Sequence, residues 1–175
     1  MSTSTPRPLV GVVADDITGA DDIGVMFAKH GYAVRIFGAG TDLAALPGRL
    51  AGRRTDVIII DTDSRMDEPQ VAYAKVRRAT AALVRAGCGL FWKKTCSVFR
   101  GNVGPEFDAL FDELNHRFAL AVAAFPKNGR VTGAASTMCT AGSWPSRSSP
   151  GIRCIPAPSR TWWWTCSGRP AARWG

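Results

Sequence analysis

The stretch LVGVVADDITGADDIGVMFAKHG, residues 9–31, carries the pattern that decides the fold. Its first part, LVGVVA (9–14), is an unbroken apolar run that stops at Asp15 and Asp16. Such a run has no wet face, which is the mark of a buried strand followed by a loop. Residues 21–31, DDIGVMFAKHG, then place Ile23, Met26 and Phe27 on one helical face. Acids open that helix and Gly31 lies past its end, as start and stop signals require.

The same alternation continues along the chain. AVRIF (33–37) is a second strand, and DVIIID (56–61) is a third, too uniformly apolar for an exposed face. DEPQVAYAKVRRATAALVRAG (67–87) is a long amphipathic helix with Pro69 in its first turn and Gly87 closing it. GLFWKK (89–94) reads as a strand, GPEFDALFDELN (104–115) as a helix and FALAVAAFP (118–126) as a further buried strand. Strands alternating with helices predict an α/β domain of three layers, a mostly parallel sheet with helices on both faces. The expected boundaries are a flexible N-terminus over 1–8, the domain over 9–132 and an irregular tail over 133–175.

Bulk properties narrow the class further. The 175 residues are 46% hydrophobic, enough for one ordinary core, and no apolar run is long enough to span a bilayer. MSTSTPRPLVG lacks the charged-then-apolar order of a signal peptide, so a cytoplasmic protein with no membrane partner is expected. The net charge of +8 is concentrated in the tail, where Arg147, Arg153, Arg160, Arg169 and Arg173 occur with no Asp or Glu. These arginines are scattered rather than clustered, so no nucleic-acid partner is expected. Cys88, Cys96, Cys139, Cys154 and Cys166 form no CxxC pair and have only His30 and His116 for company, which speaks against a zinc site and a disulfide framework.

In open parallel sheets, ligands sit at the carboxyl ends of the strands. Four polar clusters fall there. ADDITGADD (14–22) offers Asp15 and Asp16, acceptors suited to gripping hydroxyls or taking a proton, although Asp, Thr and Gly are also ordinary loop and capping residues. DTDSR (61–65) adds carboxylates and Arg65, whose planar fork matches a carboxylate ligand. A phosphatase of the haloacid-dehalogenase type, with Asp61 as nucleophile, is the alternative reading of this cluster, but Arg65 stands where that pattern has Thr or Val. KKTCSVFRGN (93–102) brings Lys93, Lys94 and Arg100 together with Ser97, Asn102 and a permissive Gly101, the composition of an anion-binding loop. Cys96 in this loop fits a reactive thiol or a small buried residue. FPKNGR (125–130) is a strand-end turn.

Taken in this order, the four segments resemble the four-carbon acid sugar kinase family, ATP-dependent kinases of threonate, erythronate and related tetronates. ADDITGADD is similar to its Ala-Asp-Asp-x-Thr-Gly-Ala pattern, and DTDSR matches its strand-end motif. KKTCSVFRGN is similar to Lys-Lys-x-Asp-Ser-Thr-Leu-Arg-Gly-Asn, and FPKNGR matches Phe-Pro-x-x-Gly-Arg. The resemblance covers roughly residues 9–132. It implies an N-terminal domain that binds a small-molecule sugar acid, with ATP and Mg2+ bound by a separate C-terminal domain and not strongly by this chain. By the same resemblance Asp15, Asp16, Arg65, Lys94, Ser97, Arg100, Gly101 and Asn102 are candidates for the substrate site. Asp16 becomes the candidate catalytic group that orients or deprotonates the attacking hydroxyl, and no metal ligand is assigned. Cys96 stands where the family pattern has Asp, which removes a carboxylate from the site.

The tail supplies a separate expectation. Residues 162–166, WWWTC, translate as Val-Val-Asp followed by Val, Leu or Met when read from the third base of each codon. The same offset permits Tyr-Tyr-Val-His-Gly over 136–142 and Ala-Arg-Asp-Pro-Leu-His-Pro over 149–156, text of the kind the family shows beyond its Phe-Pro-x-x-Gly-Arg turn. A frameshift near residues 131–136 is therefore expected, leaving the tail out of frame and the chain truncated before the ATP domain. A non-enzymatic protein that binds polyanions through its basic tail is the remaining alternative.

Overall fold

The computed structural model describes residues 10–97 and 99–122, together with the backbone of four short strands between residues 130 and 165. The chain divides into two compact units, one of Met1–Cys96 with Gly101–Phe118 and one of Ser97–Arg100 with Ala119–Gly175.

The first unit is built on four strands: β1 (Val10–Ala14), β2 (Val34–Phe37), β3 (Val57–Asp61) and β4 (Leu90–Lys94). They lie in the order β2-β3-β1-β4, and every pair is parallel. β1 and β3 occupy the centre and are buried along their whole length, which is why their sequences are apolar throughout. Side chains alternate between the two faces of a strand. Val10, Val12, Ala14, Val57 and Ile59 therefore pack with Ala20, Ile23 and Phe27 of α1 (Ile17–Lys29). Val13, Ile58 and Ile60 pack on the opposite face with Val76, Ala79 and Leu83 of α3 (Pro69–Arg85) and Ala109 and Leu110 of α4 (Val103–Leu114). The result is the expected three-layer α/β arrangement.

Three boundaries differ from the sequence expectation. α1 begins at Ile17 rather than 21, because Asp16 is its cap: the Gly19 amide donates to Asp16 Oδ1 at 2.8 Å. The acids at 21 and 22 are then exposed positions inside the helix. A short helix, α2 (Leu46–Leu50), buries Leu46 and Leu50 one turn apart, too brief a pattern to show periodicity.

The expected strand over 118–126 is the third difference. Residues 118–122 form no strand, and Phe118, Leu120 and Val122 are 81%, 80% and 73% exposed; residues 123–126 lie outside the described residues. An apolar run acquires strand character from a ladder partner and a covering layer, and these five residues have neither among the described residues.

The second unit contains two antiparallel ladders, β5 (Arg130–Gly133) with β6 (Ser136–Cys139) and β7 (Arg153–Ile155) with β8 (Trp163–Thr165). These strands of three or four residues fall where the sequence shows no periodicity. The other tail residues, and the FPKNGR turn up to Gly129, lie outside the described residues.

Candidate functional site

Three strand ends bring the polar clusters together. β1 runs out into Asp15 and Asp16, β3 into the 61–65 turn, and β4 into Lys94 and Thr95. Because β1 lies between β3 and β4, its two acids meet residues from both neighbours. The backbone sets this registration: Thr62 N donates to Ala14 O at 2.9 Å, Ser64 N to Asp15 O at 3.0 Å, and Asp15 N to Lys94 O at 3.3 Å.

Arg65 is the hub. Its Nε donates to Asp15 Oδ2 at 2.8 Å and its Nη2 to Asp15 Oδ1 at 3.0 Å, a bidentate pair. Its Nη1 also donates to Asp16 Oδ2. The Asp15 hydrogen bonds, with the charges of Asp15 and Asp16 behind them, raise the Arg65 pKa against the effect of burial. Among the described residues, three of the guanidinium's five N–H groups are engaged in this way. Asp15 is only 1% exposed, whereas Asp16 is partly open and bridges Arg65 and the first turn of α1. One of the adjacent acids thus braces the loop from within while the other caps a helix.

Lys94 lies on the α1 side of the sheet. A methyl group at Gly19 would sit 2.7 Å from Asp16 Oδ1 and 3.2 Å from Lys94 Nζ, so both groups close on a position that must lack a side chain. Lys94 Nζ donates to Thr95 O at 3.3 Å. A cation, a carboxylate and a helix N-terminus therefore converge at Gly19.

Gly101 and Asn102 hold the Arg65 loop from outside. Asn102 Nδ2 donates to Ser64 O at 2.9 Å and to Asp67 O at 2.8 Å. Gly101 has φ of +89°, and a Cβ there would lie 2.6 Å from Arg65 O. Both residues clasp the 64–67 backbone. Ser97 and Arg100 lie in the Ser97–Arg100 segment, which belongs to the second unit. Cys96 is buried.

Lys93 departs from the anion-binding role that its composition suggested. Its Nζ pairs with Glu106 Oε2 at 2.8 Å, with both side chains only 1% exposed. Alternation along β4 sends Lys94 to the α1 side and Lys93 beneath α4. Glu106 and Ser64 were not singled out by the sequence reading. The available signal was an acid on the buried face of an amphipathic helix, one turn from its start.

Asp61 accepts from Asp63 N at 2.9 Å, in a turn where Asp63 takes φ of +45°. Burial, with the neighbouring charges of Asp63, Asp16 and Asp15 adding to it, pushes the Asp61 carboxyl above the usual range. It lines a small pocket with Thr62, Lys75 and Arg78. Among the described residues, no group of three or more His, Cys, Asp or Glu is arranged to hold a metal ion, and no helix is long and apolar enough to cross a membrane.

Together these features define an α/β domain with a cluster of charged side chains, Asp15, Asp16, Arg65 and Lys94, at the carboxyl ends of its parallel strands. Residues 10–144 match the family described as the sugar-binding N-terminal domain, and the chain belongs to that family, the N-terminal domain of four-carbon acid sugar kinases. It is 44% identical over 124 residues to D-erythronate kinase of Heliobacterium modesticaldum, a match covering 70% of this chain and 27% of that protein. It is 38% identical over 135 residues to 3-oxo-tetronate kinase of Burkholderia multivorans, covering 75% of this chain and 30% of that protein. The chain thus spans less than a third of these relatives' length. Among solved structures, it is similar to a Bordetella bronchiseptica protein of the DUF1537 family, a domain-swapped dimer with bound citrate. That match has a TM-score of 0.66 at 33% identity and covers 77% of this chain and 34% of the other.

Proposed function

We propose that this chain forms the sugar-acid-binding part of an ATP-dependent kinase of four-carbon sugar acids of the threonate or erythronate type. The observation that carries the reading is the junction of Arg65, Asp16 and Lys94 at the start of α1. The guanidinium of Arg65 and the ammonium of Lys94 supply cations for the ligand's carboxylate. Asp16, partly open and fixed on two sides, receives a ligand hydroxyl and orients it for attack on the γ-phosphate of ATP. The citrate held by the Bordetella relative is itself a hydroxy acid, in keeping with a site for such ligands.

ATP and Mg2+ are the co-substrate and metal of the intact kinase in this proposal. Ser97 and Arg100 remain proposed ligand contacts. The relatives' names, D-erythronate kinase and 3-oxo-tetronate kinase, support the four-carbon class. Calorimetric titration of the purified chain with D-erythronate tests the reading. Saturable binding that weakens at least about tenfold in Asp16→Ala supports it. No binding of D-erythronate, D-threonate or their 3-oxo forms would remove it. No phosphorylation is expected from the 175-residue chain alone, and ATP-dependent turnover would overturn that part.

A further inference from the structure

Lys93 and Glu106 form a buried, charged pair that the proposed sugar-acid chemistry leaves unused. Taking two charges out of water is costly, and an apolar pair of similar volume often serves folding equally well. Stability alone is therefore a weak reason for it. The pair has a third partner: Ser64 Oγ donates to Glu106 Oε1 at 2.5 Å. Ser64 Oγ also lies 2.8 Å from Thr62 Oγ1, which donates to Ala14 O at 2.8 Å, and Ser64 N donates to Asp15 O at 3.0 Å. Ser64 is thereby tied to the end of β1, and the next residue in the chain is Arg65. A continuous set of contacts runs from the buried pair to both sides of the Arg65–Asp15 junction.

We propose that Glu106, held in place by Lys93, is a positioning residue of the sugar-acid site. It fixes Ser64 from below, as Asn102 and Gly101 clasp the same backbone from outside, and so sets the Arg65 fork relative to Asp15 and Asp16. For its ligand this inference rests on the sugar-acid reading, whereas its geometry stands independently of it. Glu106 acts through Ser64, and its partner Lys93 also donates to Lys94 O at 3.1 Å, the carbonyl that accepts from Asp15 N.

The test compares the full chain with two variants. Lys93→Met/Glu106→Leu replaces the pair by apolar groups of similar size, and Ser64→Ala cuts the link while leaving the pair intact. Three quantities are read: thermal unfolding, D-erythronate affinity, and solvent exchange of the Arg65 Nε proton in nitrogen-15 spectra. A purely structural pair predicts that any variant that folds binds normally. The positioning role predicts a near-normal melt for the double variant, at least about tenfold weaker binding in both variants, and faster exchange at Arg65. Wild-type affinity together with unchanged Arg65 exchange in either folded variant would overturn it. If the double variant does not fold, Ser64→Ala decides by the same criteria. If the wild-type chain binds no tetronate, the sugar-acid reading fails, and Arg65 exchange alone decides: about tenfold faster in Ser64→Ala supports positioning, and no change refutes it.

Discussion

Lys93 and Lys94 are consecutive residues of β4 that face opposite sides of the sheet. Lys93 reaches the buried Glu106 at 2.8 Å, whereas Lys94 sits beside Gly19 at the start of α1. The division follows from strand geometry, since successive side chains must point to opposite faces. Its consequence is a separation of tasks. One lysine pairs with a buried acid beneath α4, and the other brings its charge to Gly19 beside Asp16.

The first prediction concerns the hub. Arg65→Ala leaves Asp15, almost wholly enclosed, with no cation and without two hydrogen bonds. Removing one partner of a buried pair strands the other charge, so the variant should lose about 3 kcal/mol of stability. Arg65→Lys should recover only part of this, because an ammonium lacks the planar fork that serves both acids. Urea unfolding of the three proteins checks the order: wild type, then Arg65→Lys, then Arg65→Ala. Equal midpoints would show that the junction contributes nothing to folding.

How far this arrangement could be read beforehand depended on whether the signal was local. β1 and β3 were legible because a strand covered on both faces must be apolar at every position, as VGVVA and VIIID are. The convergence of Asp15, Asp16, Arg65 and Lys94 was legible because polar clusters at the ends of adjacent strands lie side by side. The inward turn of Lys93 was not. A two-residue run of lysine gives no parity, and parity is what assigns a face. The start of α1 was hidden for a similar reason: four aspartates, at 15, 16, 21 and 22, compete as caps, and only the Gly19 amide bond singles out Asp16. The part of the 118–126 run that is described, 118–122, misled because strand formation is a property of the ladder as much as of the segment.

Gly101 gives a second prediction. Its φ of +89° strains any side chain, and a Cβ would stand 2.6 Å from the Arg65 carbonyl oxygen. Gly101→Ala should therefore cost about 2 kcal/mol. It should also weaken D-erythronate binding by displacing the Arg65 backbone. Gly48→Ala, within α2 and with nothing inside 4 Å, is the control and should lose neither stability nor affinity. Comparable losses in both variants would show that Gly101 has no special part in holding the loop.

A third prediction concerns the coding sequence of the tail, where a shift of reading frame is proposed near residues 131–136. Resequencing the gene from the codon for Phe125 to beyond that for Gly175 should reveal a one-base insertion or deletion relative to the frame of the kinase relatives. The reading frame corrected for it should contain Val-Val-Asp in place of the three consecutive tryptophans at 162–164. An adjacent frame closed by stop codons throughout this region would refute the shift.

The fourth prediction follows from Asp61. Burial raises its carboxyl pKa in the fold above its ordinary value of 3.8. The folded protein therefore holds that proton more tightly than the unfolded chain. Its contribution to stability is fully present below the unfolded pKa and is lost as pH rises through the folded one. Above the folded pKa the fold carries a buried, ionised carboxylate next to Asp63, Asp16 and Asp15. Asp61→Asn removes that charge, and its amide oxygen still accepts from the Asp63 amide. The variant should melt higher than wild type at pH 7, with the difference shrinking as pH falls below the folded pKa. Melting curves from pH 3 to 8 test this. A constant offset across the range would mean that Asp61 titrates alike in the folded and unfolded chains.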